Sequence, residues 1–299
     1  MYESPRSQTK GDEPRAQRDL STARIVERIV GRQLASEVEE YFERGARVLP
    51  GDVVVDVGAN IGAFAAAVAA RTGGDVTLHC FEPRGPIFTS LERNFAEHAL
   101  LRETRHELHA VALSSPLQHG TARPFYYFRR FPTDSTYDIE HKLHGFRVFF
   151  RRVADEITQN TADAGWVGRG MGFVAAKTLT RLCRDDSRLG VWLTWRVTGM
   201  RELRCDLVAL DRVLAERGIT RVDLLKIDVE GAELDVLRGC GAAWPGIRRV
   251  ALETDRRGGR ADEVLALLAS EGFRITSCEP PRAAASGDAD LVLIFAERP

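Results

Sequence analysis

The sequence predicts a doubly wound α/β fold, a mostly parallel sheet of seven strands with helices on both faces. Three observations predict it. Short apolar, β-branched runs alternate along the chain with stripes at helical spacing, the pattern of successive βαβ units. The 299 residues are 44% hydrophobic and 28% charged, an ordinary globular balance with enough apolar surface for a large core. The first run also ends in a small-residue turn, Asp56-Val57-Gly58-Ala59-Asn60-Ile61-Gly62, of the kind that opens a ligand crevice in such sheets.

Residues 1–19, dense in Pro, Gly and charge, read as a disordered arm. Residues 20–48 read as an N-terminal helical segment, because Ile25, Ile29, Val30, Leu34, Val38 and Phe42 recur at helical spacing as far as Gly45. Leu49-Pro50-Gly51-Asp52 is a turn, and the main domain, residues 49–299, starts there. Residues 53–57 are a valine-rich run suited to a strand buried on both faces. A helix over 63–71 and a strand over 76–81 follow. Pro86 suits the first turn of the next helix, whose stripe is Ile87, Leu91 and Phe95. A third strand is expected over 107–113. Beyond residue 204 come a helix at 210–217, a strand at 222–227, a helix at 232–238, a strand at 249–253 and a helix at 261–271. Strands at 273–277 and 291–296 are separated only by polar residues, so they are expected to pair as an antiparallel hairpin at the sheet edge.

Residues 117–204 interrupt the alternation. They carry 15 Lys+Arg against 9 Asp+Glu and hold 13 of the 23 aromatic residues. A structureless loop of that length does not fit a compact domain. The segment is therefore expected to be an ordered insertion over the working edge of the sheet. Its Arg-flanked aromatics, Tyr127-Phe128-Arg129-Arg130 and Phe149-Phe150-Arg151-Arg152, suit a cap over a flat or anionic acceptor, or a satellite core, or a homodimer contact.

Composition excludes several classes. The formal net charge of −1 gives no footprint for nucleic acid or a membrane surface. No apolar run approaches the ~20 residues of a membrane span, and the polar N-terminus has no secretory core. The five cysteines are scattered and form no Cys/His cluster, so zinc is not expected and a reducing cytoplasm is.

Three motifs carry chemistry. In the first, Gly58 and Gly62 stand in a Gly-x-x-x-Gly spacing rather than the Gly-x-Gly-x-x-Gly of pyrophosphate sites. Small residues there let a ligand approach the backbone, and the following helix is expected to aim free N–H groups at it. The turn suits a cofactor with an amino-acid carboxylate. The second is Phe81-Glu82-Pro83, 24 residues after Gly58, where a strand-end carboxylate can accept hydrogen bonds from both hydroxyls of a ribose. The third is Leu224 to Leu234, LLKIDVEGAEL. Alternation puts Lys226 and Asp228 on one face at the carboxyl edge, with Glu230 and Glu233 opening the next helix.

Together DVGANIGAF, CFEP, HAVALSS and LLKIDVEGAELDVLRG, in this order, resemble the FkbM-type S-adenosylmethionine-dependent methyltransferases. FPTDSTY, residues 131–137, is similar to a Gly-Asn-Ser-Thr-like stretch of that family, with Thr133-Asp134 in place of Gly-Asn. The resemblance runs from about Leu49 to Glu297 and is weakest over 138–204. It implies a Rossmann-like class I methyltransferase sheet with its last strand antiparallel, and S-adenosylmethionine as cofactor. Asp56, Gly58, Asn60 and Gly62 would cradle the methionine moiety, Glu82 the ribose and Val111–Ala112 the adenine, with Asp228 near the sulfonium. Methylation of an acceptor hydroxyl also needs a base. Asp228 and Glu230 are the first candidates, with Glu253 and the histidines His119, His141 and His144 behind them. Ser135, Thr136, Tyr127, Lys226 and Glu253 are the candidate acceptor contacts. The acceptor is expected to be a small molecule, anionic or carrier-tethered. C- or N-methylation, a non-catalytic scaffold and a nicotinamide oxidoreductase are the competing readings.

Overall fold

A computed structural model describes residues 32–83, 85–128, 196, 199–282 and 290–299. Its main sheet has seven strands: β1 (Asp52–Val57), β2 (Val76–Phe81), β3 (Arg105–His109), β7 (Leu224–Ile227), β8 (Arg249–Asp255), β9 (Arg274–Glu279) and β10 (Leu291–Glu297). Their order is β3-β2-β1-β7-β8-β10-β9. Strands β1, β2, β3, β7 and β8 run parallel, and β10 pairs antiparallel with both β8 and β9. The expected doubly wound sheet with an antiparallel pair at one edge is therefore present. A smaller sheet joins β4 (Ala112–Leu113), β5 (Thr121–Phe128) and β6 (Met200–Val208) in the order β4-β6-β5.

Alternation along the strands builds two cores. Val54, Leu78, Cys80, Leu224, Ala251 and Leu293 face one side. There they meet α1 (Arg32–Arg44), α2 (Ala63–Thr72), α3 (Pro86–Glu97) and α4 (Ala99–Glu103). Val55, Val57, Phe81, Leu225, Ile227, Val250 and Leu252 face the other side, against α5 (Leu210–Glu216), α6 (Glu233–Arg238) and α7 (Arg260–Ser270). The Ala-rich α2 lies close on the sheet because its side chains are short, and Ala65 to Ala69 are wholly buried. Helix α1 docks across the end of this layer. Phe42 stacks on Phe64 with ring centroids 5.3 Å apart, and Arg71 covers the Phe42 ring while pairing with Glu39. No helix among the described residues is long and apolar enough to cross a membrane.

One expectation about strands needs correction. The single strand expected over 107–113 is two short ones. The chain leaves the main sheet after His109 and joins the small sheet at Ala112, pairing with Leu207. Within the expected insertion, residues up to 128 and from 200 form the antiparallel β5–β6 pair. Pro124 is tolerated because β5 is the edge of the small sheet. Residues 1–31 and the rest of the insertion lie outside the described residues.

Candidate active site

The carboxyl ends of β1, β7 and β8 deliver one charged group each to the same face. Asp56 pairs with Lys226 across the β1–β7 ladder, and Glu253 lies beyond Ala251 on β8. Lys226 Nζ stands 3.2 Å from Asp56 Oδ1 and 3.5 Å from Asp228 Oδ2, and donates to the Gly58 carbonyl at 3.0 Å. Asp56 is wholly buried and, among the described residues, neither of its oxygens accepts a well-directed hydrogen bond, so the charge of Lys226 is what holds it. Burial opposes the Lys226 ammonium, but Asp56 and Asp228 outweigh it and raise its pKa. Burial likewise raises the Asp56 carboxyl, with Lys226 pulling it back. Both residues are buried, and Lys226 ties the ends of β1 and β7 together.

The turn after β1 is more occupied than the sequence suggests. Gly58 and Ala59 donate their N–H groups to the Phe81 carbonyl, Asn60 to Glu82 Oε2 at 3.0 Å, Ile61 to the Asn60 side chain and Gly62 to Ala59. Free donors are thus confined to the first turn of α2. A Cβ on Gly58 would sit 1.8 Å from the Asp228 carbonyl oxygen, so this glycine is required by backbone packing between the β1 and β7 ends. A Cβ on Gly62, at φ +93°, would meet only side chains, Leu91 at 3.0 Å and Phe95 at 3.4 Å, a tight contact rather than a backbone clash.

Glu82 is buried, and burial pushes its pKa up to about 8 against the pull of the Asn60 N–H and of Lys226. Glu253 is raised well above its ordinary value by burial and by Asp228, Glu230 and Glu233. Glu230 lies in a tight turn at φ +52°, and α6 begins only at Glu233. Glu233 is a structural acid: it accepts the Gly231 N–H at 2.8 Å and faces Thr254 and Arg260, with burial raising it to about 7.

One group was missed from the sequence. Tyr41 of α1 packs edge-on against Phe64 and Phe295, and its buried hydroxyl has no well-directed hydrogen-bond partner among the described residues. Burial, then Asp228, Glu253 and Asp56, raise its pKa well above 10, so the hydroxyl looks onto the acidic edge. Nothing in the helical stripe marks Tyr41 apart from its neighbours. The position follows from how α1 docks.

Other expected residues are more dispersed. Val111 and Ala112 form the step from β3 to the small sheet, just beyond the Glu82 N–H bond to the His109 carbonyl. Tyr127 is half-buried on β5 opposite Arg201. His119 is exposed, and its Nδ1 accepts the Ala209 N–H at 3.2 Å, which is a structural role. Ser135, Thr136, His141 and His144 lie outside the described residues.

A family model described as the methyltransferase FkbM domain matches residues 56–275. The chain belongs to the FkbM methyltransferase family. It is 31% identical over 242 residues to 31-O-demethyl-FK506 methyltransferase FkbM of Streptomyces tacrolimicus, covering 81% of this chain and 80% of that one. Methyltransferase sdnD of Sordaria araneosa is 30% identical over 224 residues, 75% of this chain and 74% of that one. AMB antimetabolite synthetase AmbE of Pseudomonas aeruginosa is 33% identical over 246 residues, 80% of this chain. The chain spans only 10% of that synthetase's length. The family segment contains the strand-end residues Asp56, Glu82, Lys226, Asp228 and Glu253 described above.

Proposed function

We propose that this chain transfers a methyl group from S-adenosylmethionine to a hydroxyl of a small-molecule acceptor. The observation that carries the reading is the charge of the carboxyl edge. Asp56, Glu82, Asp228, Glu230 and Glu253 converge there with Lys226 as the internal counter-ion. A ligand bearing a sulfonium and an ammonium suits such an edge better than a pyrophosphate does. The Glu82 carboxyl, raised to about 8, also fits a ribose, because two donated hydrogen bonds would stabilise its ionised form. The name of the Streptomyces relative supports oxygen as the methylated atom.

When bound, the cofactor supplies a methyl group on an electrophilic sulfonium. The chain's own contribution is position, exclusion of water and a place for the acceptor's proton. Glu82 and the turn from Gly58 to Gly62 hold the ribose and methionine ends. An acceptor hydroxyl that took the methyl group from the sulfonium, with the sulfur–methyl bond breaking and S-adenosylhomocysteine leaving, would give up its proton to a carboxylate of the chain. Burial and the neighbouring acids Asp228, Glu230 and Glu233 disfavour ionisation of Glu253, which makes it the weaker candidate for that base. Asp228, beside Lys226, and Glu230 stand at the same edge and are the first candidates for that base. Alignment of the two reactants contributes roughly 7–11 kcal/mol in well-oriented systems. One end of the insertion lies near this edge: Leu203 of β6 comes close to Gly85, just after Glu82. That placement supports a role for the insertion in acceptor selection.

Calorimetric titration of S-adenosylhomocysteine into wild type and Glu82→Ala tests the cofactor. Micromolar binding, weakened by about 1–3 kcal/mol in the variant, is the expected result. No heat and an unchanged melting temperature with wild type would overturn it. With binding in hand, Asp228→Asn is expected to keep affinity for S-adenosylhomocysteine, which lacks the sulfonium, and to lose turnover on an acceptor panel, and NMR of the product identifies the methylated atom.

A further inference from the structure

Strands β2 and β3 bring together three groups that the methyl-transfer reading leaves unused. In their parallel ladder His79 lies opposite Glu107, and Phe81 opposite His109. Alternation therefore puts His79, Glu107 and His109 on one face. His109 stacks on Phe81 at 4.2 Å. His79 Nδ1 is 3.7 Å, and His109 Nε2 3.9 Å, from Glu107 Oε2. One donor atom from each residue lies within 4.8 Å of the other two. Both histidines are only 8% exposed, yet His79 Nδ1 and His109 Nε2 have no hydrogen-bond partner among the described residues. A buried polar atom without a partner calls for an explanation. Glu107, on the edge strand and 36% exposed at its side chain, opens the cluster to solvent. Its other oxygen, Oε1, accepts from Arg217 Nε at 2.5 Å.

We propose that His79, Glu107 and His109 bind a divalent transition-metal cation of the zinc class. Two imidazole nitrogens and one carboxylate oxygen are a donor set for such an ion, with a position left for water, and they suit it better than they suit magnesium or calcium. Donors around tetrahedral zinc stand about 3.4 Å apart for bonds of ~2.1 Å. The two contacts to Glu107 need close by only a few tenths of an ångström. Burial disfavours the imidazolium form of both histidines, leaving ring nitrogens free to act as ligands. Arg217 fixes the Glu107 carboxylate from behind, the usual work of a group beside a metal ligand. The bound ion would tie β2 to the edge strand just beneath Glu82, whose N–H donates to the His109 carbonyl at 3.1 Å. Residues 79, 107 and 109 show no metal-binding spacing in the sequence, because only strand pairing brings them together.

The test is zinc titration by calorimetry into chelator-dialysed wild type, Glu107→Gln and His109→Phe, with thermal unfolding beside it. Wild type is expected to bind one zinc per chain and to melt higher with it. Glu107→Gln is expected to bind at least tenfold more weakly, and His109→Phe, which keeps the stacking on Phe81, to lose the site. Cobalt in place of zinc should give visible d–d bands in wild type that both variants lack. No saturable binding by wild type, or unchanged binding in the variants, would overturn the proposal. Should His109→Phe fail to fold, Glu107→Gln decides alone, because its side chain is part-exposed and the change is isosteric.

Discussion

At Gly58 the place of a side chain is already taken by the Asp228 carbonyl, and φ is +74°. Gly51 has a similar φ of +84° and nothing within 4 Å of its Cβ position. Alanine at Gly51 should therefore cost only the left-handed backbone, about 1–2 kcal/mol. Alanine at Gly58 must also separate the β1 and β7 ends and should cost clearly more than ~2 kcal/mol in urea denaturation. Equal losses would show that the β1–β7 approach is not tight. The turn was legible in the sequence as a place where only small residues fit. The reason was not, because the crowding group lies 170 residues away along the chain. Glu82 was legible as a strand-end acid, but its titration was not, since burial sets it. If a ribose binds ionised Glu82, the free protein, with its carboxyl at about 8, must release a proton on binding near pH 7. Affinity for S-adenosylhomocysteine should then rise from pH 6 to about 8. Calorimetry in buffers of different ionisation enthalpy should count the proton in wild type and find it gone in Glu82→Gln.

At the scale of elements, the sequence is most readable where a helix or strand is set by its own period. The valine-rich β1, the Ala-rich α2 and the stripe of α1 are of that kind. It is least readable where an element exists only because of a distant partner. The run from Arg105 to Leu113 is continuous in sequence, yet it is divided between two sheets, because β6, some 90 residues on, pairs with Ala112 and Leu113. Tyr41 is a further instance. The spacing places it on a helix, but the docking of α1 onto Phe64 and Phe295 turns its hydroxyl toward the acids. A buried hydroxyl without a well-directed partner stabilises nothing. Tyr41→Phe should therefore melt at the wild-type temperature or above it in thermal scanning without ligand. A clear fall would mean the hydroxyl is bonded to Asp228 in solution.

Over the whole molecule, buried acids gathered at one edge should leave a signature in stability against pH. The carboxyls of Glu82, at about 8, and Glu233, at about 7, together with those of Glu253 and Asp56, are raised in the folded chain. Unfolded, they titrate near 4. The folded state therefore holds more protons from about pH 4.5 to 8, and stability falls as pH rises through that window. His109, lowered to about 4, and His79 act the other way, adding stability as pH rises toward 6.5. Between pH 6.5 and 8 only the carboxyls remain. Urea denaturation should find the apo chain less stable at pH 8 than at 6.5 by on the order of 2 kcal/mol, with Glu82→Gln removing much of the difference. S-Adenosylmethionine should flatten the same slope, because its positive charges favour the ionised carboxyls that folding alone disfavours. S-Adenosylhomocysteine, without the sulfonium, should flatten it less. Identical slopes with both ligands would separate the acidic edge from the sulfonium, and the charge argument for the cofactor would lose its basis.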